Sequence, residues 1–183
     1  TLTPARPFYF GLAEIVNSFI RNPRLRRIPT FAPAIVYALA INPWFTPDQH
    51  DDVLYYFGAV SMLDGGGFSL GGVPITDWPP VFPTLLAGAF AVFGQSVWVA
   101  KALVFVVVVL GIAITARTAK VFDLSNPRLI AAVTALLPVS LISGASILSE
   151  WPYLVASFAF LFALVKLSQT RQWRWAIIAG VFL

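Results

Sequence analysis

Five of the chain's eight acidic residues stand between positions 46 and 80, in a stretch without lysine or arginine. Asp51 and Asp52 are adjacent, Tyr55 follows one helical turn after Asp51, and Asp77 precedes Trp78-Pro79-Pro80. Glu150 interrupts a long apolar stretch over 129–167. Carboxylates are costly to hold near lipid, so their default reading there is functional. Two chemistries suit them. A carboxylate within hydrogen-bond reach of a hydroxyl can take its proton as that oxygen attacks, or a carboxylate cluster can bind protons or cations in transport.

Each of these residues also has a plainer explanation. Asp51 and Asp52 sit where a helix should begin, where acids cap free N–H groups and complement the macrodipole. Glu150 at a span end can simply be hydrated. Lys101, four residues into an apolar run, is placed to meet a phosphate or to snorkel to the interface. His50, the single histidine, reads as a solvated loop imidazole, and Asp48 as a turn cap after Pro47. The glycines near Gly65 lack the strand, lysine and helix of a phosphate-binding loop. The weight falls on convergence, with Asp51, Asp52, Asp77 and Glu150 expected at one level on one side.

The elements that must hold them there are helical and apolar. At 58% hydrophobic and 11% charged, with a mean hydropathy of +0.82, the chain departs from soluble-domain composition and reads as an integral membrane protein. The net charge of +4 comes from short cationic clusters beside apolar runs, which argues against nucleic acid. Cysteine is absent, removing disulfides and thiol chemistry. Spans are expected over about 28–45, 97–116, 129–148, 151–167 and from 173 onward, by length and composition. Residues 1–27 read as a cytoplasmic amphipathic and basic segment, and 28–183 as the amino-terminal part of a transmembrane domain truncated at its carboxy end.

The arginines at 21, 24, 26 and 27 put the start of the first span in the cytoplasm and the acidic loop over 46–80 outside. The run over 81–93 is too short for an ordinary span and reads as re-entrant or interfacial. With it dipping only into the outer leaflet, Arg117, Lys120 and Arg128 face inside and Glu150 shares the outer face with the loop acids. An amphipathic helix is expected over 52–64, with Leu54, Phe57, Val60 and Leu63 on one face. A glycine-rich, mobile stretch should follow over 68–74, and Pro138 should kink the third span.

The ordered set Asp51-Asp52-Val53-Leu54-Tyr55, Asp77-Trp78-Pro79-Pro80-Val81-Phe82-Pro83, Phe93-Gly94 and Leu148-Ser149-Glu150-Trp151-Pro152 resembles the amino-terminal half of the GT-C membrane glycosyltransferases. The closest resemblance is to the family 39 protein mannosyltransferases and the lipid A aminoarabinose transferases. It covers residues 25–183 and implies an all-α, polytopic GT-C-like bundle with an outer-loop juxtamembrane helix. It implies a multi-pass cell-membrane enzyme moving a hexosyl or pentosyl group from a polyprenyl-phosphate donor to a protein, lipid or glycan hydroxyl, with inversion, on the extracytoplasmic face. By the same resemblance Asp51 is the catalytic base, Glu150 the second active-site acid, and Asp52 stands where the family has glutamate. Tyr55, Asp77 and Lys101 fall to substrate binding, and Trp78 replaces a lysine found near the donor phosphate in some relatives. No cofactor is required, though a divalent metal at Asp77 is compatible. The alternative from another class is a proton- or cation-coupled secondary transporter using the same acids, a class that places charges near the midplane on broken helices.

Overall fold

The computed structural model describes residues 29–45 and 50–182. The segment over 1–27 and Asp48 lie outside the described residues, as does the side chain of His50. Eight helices and one hairpin occur among the described residues. Two of the helices are long and apolar enough to cross a membrane, or three spans result if a bent helix pair counts as one.

Helix α1 (Ala32–Ala40) occupies the run expected to form the first span, but it is only nine residues long. That is about 14 Å of helix against a hydrocarbon core of about 30 Å. Prolines set both limits. Pro33 stands in the first turn, and Ile41 leaves the helix in an extended conformation just ahead of Asn42-Pro43, where the proline ring disfavours helical backbone in the residue before it.

Next comes a unit that is compact in sequence. Helix α2 (His50–Leu63) forms where an amphipathic helix was expected, with Asp51 and Asp52 in its first turn. The glycine-rich stretch beyond it forms a hairpin. Strands β1 (Ser69–Leu70) and β2 (Val73–Pro74) pair antiparallel. Gly71 and Gly72 turn the chain between them at positive φ, as a two-residue hairpin loop requires. Helix α3 (Val81–Phe93) coincides with the short apolar run and buries Phe82, Leu86 and Phe90.

Helix α4 (Val97–Val121) begins at Ser96, whose hydroxyl accepts from the Trp98 amide at 3.2 Å. The expected span over 129–148 is two helices, α5 (Pro127–Leu136) and α6 (Pro138–Ala145), bent by 67°. Pro138 does more than kink this segment. It lacks an N–H and pushes Leu137 to φ −59°, ψ 141°, so the helical ladder stops and restarts in a new direction. Helix α7 (Glu150–Thr170) ends at Arg171 in the left-handed region, and α8 (Trp173–Val181) folds back with Trp175 edge-on to Phe162 at 5.8 Å.

Helices α4 and α7 run parallel. Gly111 faces the Trp151 ring, and the Thr118 hydroxyl donates to the Phe158 carbonyl at 3.2 Å, so both helices advance seven residues between contacts. The start of α7 therefore lies roughly 20 Å along α4 from Val97, near the middle of that helix. Trp151 is the hub of the packing. Its indole meets Gly111 of α4 and Gly144 of α6, donates to the Ser140 carbonyl at 3.0 Å, and lies edge-on to Tyr37 of α1 at 5.7 Å.

Candidate functional site

Helix α2 carries the paired aspartates, and its own geometry sends them different ways. Consecutive helical residues point about 100° apart, so the two meet different surroundings. Asp52 is at 0% exposure, while Asp51 remains half-buried. Tyr55 lies one turn on from Asp51, and residues four apart share a helix face.

Tyr55 is the point where the separate acidic motifs meet. Its ring is 3% exposed and packs edge-on against Phe82 at 5.4 Å and Trp78 at 6.2 Å. Its hydroxyl pairs with the Ser149 hydroxyl at 3.0 Å, beside the first turn of α7. Burial pushes the phenol above its ordinary value. The Ser149 bond pulls the other way, and the Asp51 and Glu150 carboxylates add to the rise. Both carboxylates thus act on one hydroxyl, although they are 99 positions apart in sequence.

Glu150 is exposed and lines a cleft of about 170 Å³ with Val139, Ser140, Ser143, Trp151 and Leu154. The cleft opens on the second half of the broken helix pair. The offset between α4 and α7 places Glu150 near mid-length of α4. Asp77 is exposed and accepts from the Thr76 hydroxyl at 3.3 Å. Its neighbour Trp78 anchors that strand of chain to Tyr55, so Asp77 is carried to the edge of the cluster rather than into it.

Lys101 is neither snorkelling nor open to a phosphate. It is 3% exposed, and its ammonium donates to the Ala145 carbonyl at 2.5 Å. Ala145 is the last residue of α6, where carbonyls have no partner further along the helix, and a cation is stabilised at that end of the macrodipole. The Asp52 carboxylate also acts on Lys101. Asp52, expected to serve catalysis, and Lys101, expected to bind substrate, are thus both buried and act on each other as opposite charges.

Among the described residues, no three histidine, aspartate or glutamate side chains gather as metal ligands. Sequence reasoning missed Ser149, Ser140 and Ser143. Ser149 carried the available signal, because a serine just ahead of an acidic first turn marks a helix start. Instead of capping α7, its hydroxyl serves Tyr55.

The chain matches no protein-family model, and comparisons with curated proteins and with solved structures return no match.

Proposed function

We propose that this chain is part of a GT-C-like glycosyltransferase that moves a sugar from a polyprenyl-phosphate donor to an acceptor hydroxyl on the outer face of the membrane. The observation that carries the proposal is the 3.0 Å bond between the Tyr55 and Ser149 hydroxyls, which ties the helix that carries Asp51 to the start of α7, where Glu150 lines an open cleft. Asp51 is the base. It is the member of the pair that stays half-open, whereas Asp52 is fully buried and its carboxylate acts on Lys101. A carboxylate so placed accepts the acceptor's proton as the glycosidic bond forms, and the phosphate leaves with its negative charge on the lipid. The cleft holds about six waters' volume, enough for a single sugar ring, with Glu150 and the Ser140 and Ser143 hydroxyls on its wall. Donor phosphate contacts fall to groups other than Lys101.

A second reading, coupled transport of protons or cations, has its own observation. Glu150 stands near mid-length of α4 beside a helix pair broken at Pro138, an arrangement typical of transporter binding sites. Transfer of label from a radiolabelled polyprenyl-phosphate sugar, measured with the intact protein in proteoliposomes, separates the two. Transfer supports the enzyme. Cation or proton flux without transfer replaces it with the transporter. Sidedness is checked in the same cysteine-free chain. Asp64→Cys and Gln95→Cys should react with an impermeant thiol reagent from outside and Lys120→Cys should not; labelling of Lys120→Cys but not Gln95→Cys from outside would mean that α3 crosses.

A further inference from the structure

We propose that Tyr55 is a positioning residue whose bond to Ser149 sets the separation of the Asp51 and Glu150 carboxylates; its catalytic consequence rests on the transferase proposed above. The resemblance assigned Tyr55 to substrate binding, but the geometry gives it other work. At 3% exposure, with its ring enclosed by Phe82 and Trp78 and its hydroxyl engaged by Ser149, it has no face left for a substrate. Asp51 lies one turn before Tyr55 on α2, and Glu150 directly follows Ser149. The 3.0 Å bond therefore joins the two short segments that carry the two acids.

Ser149 stands at the head of α7 with helical backbone, φ −87° and ψ −6°, and its hydroxyl makes no capping bond to α7. That hydroxyl bonds instead to a residue 94 positions earlier.

The consequence is a specific pattern of loss. Tyr55→Phe keeps the ring and its packing and removes only the hydroxyl, and Ser149→Ala removes the partner. In the intact protein each should lower kcat about tenfold through misplacement of the acids, with KM for the lipid donor unchanged. The double variant should be no worse than either single variant, and Ser149→Thr, which keeps a hydroxyl, should restore turnover. A readout independent of activity uses Asp51→Cys with Glu150→Cys and a short bifunctional thiol reagent. Cross-linking should be efficient with Tyr55 present and fall severalfold with Tyr55→Phe. Unchanged cross-linking and unchanged kcat in Tyr55→Phe would overturn the proposal, and so would a raised donor KM at constant kcat, which would return Tyr55 to substrate binding. If the parent protein transfers no sugar but Tyr55→Phe still lowers cross-linking, the transferase falls while the positioning role stands.

Discussion

The unit over 50–93 and the bundle over 97–170 solve the same problem, burying polar atoms among apolar ones, in opposite ways. In the bundle, polar side chains are spent on backbone. The Tyr37 hydroxyl donates to Ala135 O, Lys101 to Ala145 O, Thr118 to Phe158 O and Trp151 to Ser140 O. The first carbonyl lies just before the break at Pro138 and the second at the far end of α6, two helix ends that leave acceptors without helical donors. Unpaired groups in an apolar setting are expensive, so these ends recruit donors from α1 and α4. In the 50–93 unit, rings pack edge-on, Phe45 and Phe90 against Tyr56 and Phe82 against Tyr55. Its hydroxyls mostly serve neighbours close in sequence, as Ser61 does Ser69. The carboxylate open to a cleft comes from the exposed start of α7, and the half-buried one from α2. The bundle's buried cation, Lys101, is engaged by the carbonyl at the end of α6.

That contrast is broken most severely at the couple that joins the two regions. Lys101→Met leaves Asp52 buried without its cation, and Asp52→Asn leaves Lys101 without its anion. Removing one partner of a buried pair costs about 3–5 kcal/mol, whereas neutral replacement of both is often tolerated. Each single variant should therefore lower the yield of folded protein sharply, and the double variant should regain much of it. Additive losses in thermal denaturation of purified protein would show that the two residues act separately.

Asp51→Asn should do the reverse, sparing the fold and removing the chemistry. Asparagine caps a helix as well as aspartate does, but it cannot accept a proton, so turnover should fall roughly 10²- to 10⁴-fold. Donor binding should persist. Near wild-type turnover in this variant would mean that Asp51 only caps α2.

Next in size are the glycine notches of the bundle. A β-carbon at Gly144 would collide with Tyr37 and come 2.9 Å from the Trp151 indole nitrogen, and one at Gly111 would lie 2.6 Å from the Trp151 ring. Ring and backbone cannot both give way, so Gly111→Ala and Gly144→Ala should each cost about 1–3 kcal/mol. A melting midpoint unchanged by either would remove Trp151 from the centre of the packing.

How much of this was legible in the sequence follows from the range over which each feature is determined. Helix α2, helix α3 and the long spans came from composition and periodicity, which are local. The break at Pro138 was visible as a proline, but its 67° extent was not, because the angle depends on donors such as Tyr37 that arrive from elsewhere in the chain. The first span was overestimated because hydropathy counts Pro43 as a minor polar step when its effect on Asn42 is conformational. The acids were found by type. Their separation into a half-buried Asp51 and a buried Asp52 was not, since it turns on how α2 packs against distant parts of the chain. The hairpin was missed because the glycines were counted only as freedom. At Gly71 and Gly72 they serve a turn that only positive φ can make.

That turn offers the smallest and most local break. Gly72 has φ +83° and nothing within 4 Å of where a β-carbon would stand, so Gly72→Ala meets backbone strain and no clash. A left-handed alanine costs roughly 1–2 kcal/mol, offset in part by about 0.4–1 kcal/mol from the stiffer unfolded chain. The net is about 1 kcal/mol, and it should remain within the hairpin, because the turn itself packs on nothing. The Ile75 amide, which donates to the Phe68 carbonyl at 2.9 Å across the hairpin, reports on it directly. Its hydrogen exchange should speed up about fivefold in the variant, the rate equivalent of that loss, while the amides of α4 and α7 keep their protection. Faster exchange spreading into α7 would mean that the 50–93 unit and the bundle open together, and the division between a region that carries chemistry and a region that carries the fold would not survive.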